Sequence, residues 1–159
     1  MSTRELFAYL CVRDAQSAID FYRDVFGASE TLRLVDAGGR IGHAEVSIAG
    51  TTLMLCEEYP EYDILAPDPA ASSSVTLHVH VDNADEVIAH AVSAGATVVM
   101  PARDQFYGER SGVVRDPFGH RWNIGHSIED VTPQEMQRRF IALTAGPCDQ
   151  DVSTPSRQI

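Results

Sequence analysis

The sequence predicts an α+β fold in which one βαβββ unit occurs twice in tandem. Three observations predict it. Two amphipathic helical segments each sit between a short alternating strand and three further strand-like runs. Each helical segment is followed by a Gly-Ala pair, Gly27-Ala28 and Gly95-Ala96. The turn glycines Gly50 and Gly119 fall at matching places, so the two halves repeat with an offset of about 68 residues.

The first strand is expected over 6–12, where Leu6, Ala8, Leu10 and Val12 alternate with Phe7, Tyr9 and Cys11. Asp14 caps the following helix and Gly27 ends it in a left-handed conformation. Between them Ala15, Ala18, Ile19, Tyr22, Val25 and Phe26 form one apolar stripe. Strands at 29–35, 41–49 and 52–57 complete a first module, 5–58. The second module, 74–128, begins with a strand over 75–81. Its helix is capped by Asn83, with Glu86 as capping-box partner, and stops at Gly95. Strands at 97–100, 110–115 and 121–127 follow. The last two are joined by Asp116-Pro117-Phe118-Gly119, whose second Pro and fourth Gly suit a type I turn. Pro60, Pro67, Pro69 and a serine run mark 59–73 as a linker loop. Thr132-Pro133-Gln134-Glu135 supplies a cap, a Pro at the first helical position and a capping-box Glu for a C-terminal helix within 129–143. The remainder, 144–159, reads as a disordered tail.

Bulk properties narrow the function classes. A chain of 159 residues with net charge -11 repels phosphate backbones and anionic lipid, so neither nucleic acid nor a membrane is expected as partner. The apolar runs are too short to span a bilayer, and the first residues lack a signal-peptide pattern. Cys11, Cys56 and Cys148 are odd in number and form no CxxC pair, which argues against a disulfide framework or structural zinc. A cytoplasmic protein is expected.

Strand alternation sorts the side chains by face. In 75–81 the odd positions are aliphatic, which turns Thr76, His78 and His80 the other way. The same reasoning groups His43, Glu45 and Ser47; Thr52, Met54 and Cys56; and Arg121, Asn123 and Gly125. Together with Phe7 and Tyr9, this second face mixes aromatic and sulfur groups with a few polar anchors, the composition of a small-molecule site. Phe106 and Tyr107 fall in a loop suited to closing such a site over a flat ligand.

Four stretches carry a family resemblance: VVRDPFGHRW at 113–122, IEDVTPQEM at 128–136, AIDFY at 18–22 and GHAE at 42–45. Over about residues 5–140 the chain resembles the PhnB-like branch of the vicinal-oxygen-chelate superfamily, which joins glyoxalases, bleomycin-resistance proteins and extradiol dioxygenases. The resemblance implies curved mixed sheets forming a cup, helices on the convex face, and a homodimer. It also implies a divalent-metal site on four cup strands. Carried over by position, those ligands fall on Phe7, on Met54 or Cys56, on Thr76 (or His78 with a shift of two), and on Asn123. Phe cannot ligate and amide Asn is a poor donor, so no cofactor is expected at the usual place.

Two readings follow. In the first, the cup binds an antibiotic or metabolite without a metal, using Phe7, Tyr9, His43, Met54, Cys56, Thr76, His78, His80, Tyr107, Arg121 and Asn123. In the second, the chain is a lyase or isomerase for a small carbonyl or carbon-acid substrate. Glu45 and His78 then move the proton, with or without a divalent ion on His43, Glu45 and His78. Arg115 and Arg121 offer forks for a carboxylate, and Cys11 and Cys56 are either nucleophilic thiols or small buried apolar groups. Glycine-rich phosphate loops, a nucleophile elbow and HExxH are absent from the sequence.

Overall fold

The computed structural model describes residues 2–68, 71 and 73–145. Beyond Ala145 the expected disordered tail lies outside the described residues. The first half runs β1 (Ala8–Val12), α1 (Ala15–Phe26), β2 (Ser29–Val35), β3 (Ile41–Ile48) and β4 (Thr51–Glu57). The second runs β5 (Thr76–His80), α2 (Ala84–Ser93), β6 (Thr97–Asp104), β7 (Glu109–Arg115) and β8 (Arg121–Ser127), and α3 (Pro133–Thr144) follows. Between the halves the described residues include a 3₁₀ turn, Pro60–Tyr62, and an isolated bridge from Tyr59 to Ile64.

The duplication is exact in wiring. The sheets have orders β1-β4-β3-β2 and β5-β8-β7-β6, each with its first strand parallel to its last and antiparallel pairing elsewhere. They are two separate open sheets, as the tandem α+β reading requires. No helix among the described residues is long and apolar enough to cross a membrane.

The N-cap side chains act as the sequence predicts, but the capping-box carboxylates do not: Glu86 accepts from the Asn83 side-chain amide, Glu135 accepts from Arg138 and Arg139, and α2 is capped at Ala94, one residue before Gly95. Asp14 accepts from the Ser17 amide, Asn83 from those of Asp85 and Glu86, and Thr132 from that of Glu135. Gly27 ends α1 at φ 65°. Two strands differ from expectation by more than one residue at an end. The first begins at Ala8, and Leu6 lies outside it, 92% exposed, rather than in the core. β6 continues past Pro101 to Asp104, because it is an edge strand and Pro101 falls where the pairing with β7 shifts register.

One core joins both halves. β3 and β4 pack against α1, and β6, β7 and β8 pack against α2. α1 also reaches into the second half, where Phe26 lies 4.6 Å from Trp122 between ring centroids and Phe21 lies 6.0 Å from Phe118. A buried carboxylate fixes this junction. Asp116 Oδ2 accepts from the Tyr22 hydroxyl and the Trp122 indole, both at 2.8 Å, while Oδ1 accepts from the amides of Phe118 and His120. Burial and this carboxylate together raise the Tyr22 phenol well above its ordinary value, so it stays a donor.

Candidate binding site

With one face of each sheet against helices, the other is open and carries the polar alternates. On the first sheet, pairing sets Tyr9 beside Met54 and Met54 beside Glu45. A polar chain crosses this face: the Tyr9 hydroxyl lies 2.8 Å from His43 Nδ1, and His43 Nε2 lies 3.3 Å from Glu45 Oε1. Phe7 precedes β1 and is exposed. Cys11 and Cys56 are neighbours across β1 and β4, and Cys56 is buried. Burial, reinforced by Cys56, pushes the Cys11 thiol up to about 12, and burial raises Cys56 as well. Both thiols are therefore protonated at neutral pH and behave as small apolar groups.

On the second sheet, a hollow of about 230 Å³ opens among β5, β6, β7 and β8. Thr76, Tyr107, Arg121 and Asn123, all expected from the sequence, line it with Met100 and Gln105. Tyr107 comes from the β6–β7 turn, and its hydroxyl is 3.2 Å from the buried Ser111 hydroxyl. Arg121 makes only a long contact to the Met100 sulfur, at 3.8 Å, and has no carboxylate partner among the described residues. Its guanidinium is thus a fork without an acid, at the wall of a partly apolar hollow.

His78 and His80 line a separate hollow of about 330 Å³, with their rings 4.9 Å apart. Both meet the carboxylate of Glu109, the first residue of β7. Sequence reasoning missed Glu109 by starting that strand at 110. Its alternation with Ser111 and Val113 is the signal that places it on the open face. Glu45 and His78 stand on different sheets, and each takes its partners from its own sheet. The set His43, Glu45 and His78 is likewise divided between sheets.

The remaining histidines serve the fold. His120 Nε2 donates to the Cys11 carbonyl, His126 Nδ1 accepts from the Ala84 amide at the start of α2, and His90 lies 3.0 Å from Asp24. Arg115 reaches the Ala71 carbonyl at 2.8 Å.

Two tandem βαβββ units, each with one covered and one open face, define a chain of the vicinal-oxygen-chelate type. Residues 6–124 match the family model described as Glyoxalase/Bleomycin resistance protein/Dioxygenase superfamily, and the chain belongs to that superfamily. It is 40% identical over 135 residues to the uncharacterized protein Rv0887c of Mycobacterium tuberculosis, an alignment covering 83% of this chain and 79% of that one. Among solved structures it is similar to TioX from Micromonospora sp. ML1, with 27% identity, a TM-score of 0.58, and coverage of 79% of this chain and 99% of that one. A PhnB protein from Bacillus cereus shares the fold at 18% identity and a TM-score of 0.61, covering 78% of this chain and 100% of that one.

The metal implied by the superfamily needs several anionic or imidazole donors in one shell. Phe7 offers no ligand atom, Met54 and Thr76 are neutral, the alternative Cys56 is a buried thiol held protonated, and the Asn123 amide engages the alternative His78, which leaves one imidazole as the whole donor set. This set does not fit a divalent ion.

Proposed function

We propose that the protein binds a small organic molecule bearing a carboxylate or similar anionic oxygen group, held in the hollow on the second sheet. The observation that carries this reading is Arg121, a guanidinium with no acidic partner among the described residues at the wall of a 230 Å³ hollow. Thr76, Gln105 and Asn123 supply further polar contacts, and Tyr107 and Met100 supply apolar area, the usual makeup of a ligand site. The family position for a metal lacks ligands, so the protein's own side chains hold the ligand.

Titration of the labelled full-length protein with small aromatic and aliphatic carboxylates, alongside their amide analogues, tests this. Amide-proton shifts should gather at Thr76, Gln105, Tyr107, Arg121 and Asn123 for the acids and vanish in Arg121→Ala. Equal response to the amides, or an unchanged response in Arg121→Ala, refutes it.

The Tyr9–His43–Glu45 chain favours a second reading, a lyase or isomerase in which Glu45 removes a proton from a carbon acid while His43 orients it. Glu45→Gln separates the two. Ligand affinity stays within a few fold if the protein only binds, whereas turnover of a carbon-acid substrate is abolished if it is an enzyme.

A further inference from the structure

We infer that His78, His80 and Glu109 form a binding site for a borderline transition-metal ion such as Zn²⁺ or Co²⁺, displaced from the superfamily's usual position. His78 and His80 alternate along β5, so both imidazoles rise from one face. Glu109 Oε2 lies 3.5 Å from His78 Nε2, and Oε1 lies 2.9 Å from His80 Nε2. One donor atom from each residue falls within 4.8 Å of the others. Two donors on one tetrahedral zinc lie about 3.3 Å apart, given bonds of about 2.0–2.1 Å. The two gaps, which run to different oxygens of the carboxylate, straddle that spacing, and loading draws in donors that already lie within 4.8 Å of one another.

Three further observations point to an ion rather than to mutual pairing of the side chains. The Glu109 side chain is only 18% exposed, and Oε2 is buried without a hydrogen-bond partner. A carboxylate so placed costs free energy until a cation meets it. The neighbouring Arg110 does not serve, because its guanidinium is taken by Asp85 and Asp104. Finally, the strand passes the donors without a side chain at Gly125. A Cβ there would press on Ser111 Cβ at 3.1 Å and Glu109 Oε2 at 3.2 Å, and would lie 3.5 Å from His78 Nε2.

Asn123 completes the arrangement as a positioning residue. Its amide lies 3.4 Å from His78 Nδ1. With the amide turned so that Oδ1 faces the ring, Nδ1–H donates to it and Nε2 keeps a free lone pair for the ion. The residue standing where the resemblance places a metal ligand thus supports a ligand instead. Two neutral imidazoles and one carboxylate leave coordination positions open, and the exposed sides of His78 and His80 give access. This donor set selects against Mg²⁺ and Ca²⁺, which take oxygen ligands.

The test is cobalt titration of the full-length, chelator-stripped protein, followed by its visible d–d absorption. A saturable band at one Co²⁺ per chain is expected, displaced by Zn²⁺, unaffected by millimolar Mg²⁺, and without a sulfur-to-cobalt transition. His80→Ala and Glu109→Gln should each weaken affinity by more than about 100-fold, and Asn123→Ala by roughly 10–100-fold. Gly125→Ala should also weaken it, with all donors retained. His43→Ala and His90→Ala should leave it unchanged. Circular dichroism checks that each variant is folded. Absence of a saturable band in the parent protein overturns the inference. So does a band that survives both His80→Ala and Glu109→Gln, or one that disappears with His43→Ala.

Discussion

Replacing Asp116 by Asn probes the junction between the halves with almost no change of shape. The two backbone donors, Phe118 and His120, both bind Oδ1 and are retained. The Tyr22 and Trp122 donors both bind Oδ2, which becomes an NH₂ group. The tyrosine hydroxyl can rotate and accept from it. The indole N–H cannot, and a buried unpaired donor costs about 1–3 kcal/mol. Loss of charge assistance in the remaining bonds adds to this, while removal of a buried charge offsets part of it. The net expectation is a loss of about 2–3 kcal/mol, or a fall in Tm of roughly 4–12 °C for a chain of this size. Tyr22→Phe leaves the carboxylate three partners and should cost about 1–2 kcal/mol. Urea unfolding followed by Trp122, the single tryptophan, measures both, and the double variant gives their coupling. An Asp116→Asn protein within about 0.5 kcal/mol of the parent, or a coupling near zero, refutes the idea that this carboxylate clasps α1 to the second half.

Three other outcomes are expected. In a Cys148→Ser background, Cys11 and Cys56 should react with iodoacetamide at pH 8 at least about tenfold more slowly in the folded than in the urea-unfolded protein, since burial keeps the thiols protonated; equal rates contradict the assignment. Arg138 and Arg139 hold the Glu135 carboxyl at about 2, against an ordinary 4.5. The folded value is depressed, so this stabilisation is complete above 4.5 and disappears as the pH falls through 2. Hydrogen exchange in α3, corrected for intrinsic rates, should therefore accelerate in that window and lose the step in Glu135→Gln. Gly108 has φ 88°, and a Cβ there would lie 2.3 Å from the Glu129 carbonyl oxygen. Gly108→Ala should cost at least about 2 kcal/mol in urea titration.

Much of the fold was legible because local chemistry and tertiary role agree. Asp14, Asn83 and Thr132 cap the helices they were expected to cap, and the alternation of Ala44, Val46 and Ile48 with His43, Glu45 and Ser47 is the alternation of buried and open faces. The site was legible only in pieces. Faces follow from alternation, but which residues meet across strands depends on register, which leaves no local trace. Glu45 and His78 share the property of facing outward yet stand on different sheets, while Glu109 meets two histidines about thirty positions earlier in the chain. In the sequence Asp116 reads as a turn residue. Its second oxygen is used by Tyr22, 94 positions away, and turn chemistry cannot announce that.

The aromatic ridge of α1 bears on how the two copies have come to depend on each other. Tyr22 and Phe26 belong by connectivity to the first unit, yet their rings pack at a tilt against Trp122 of the second. A stand-alone half would carry either bare rings or a bare indole. The ancestral symmetry survives in the strand order, but the units have traded parts of their interiors, so each now completes its partner's folding.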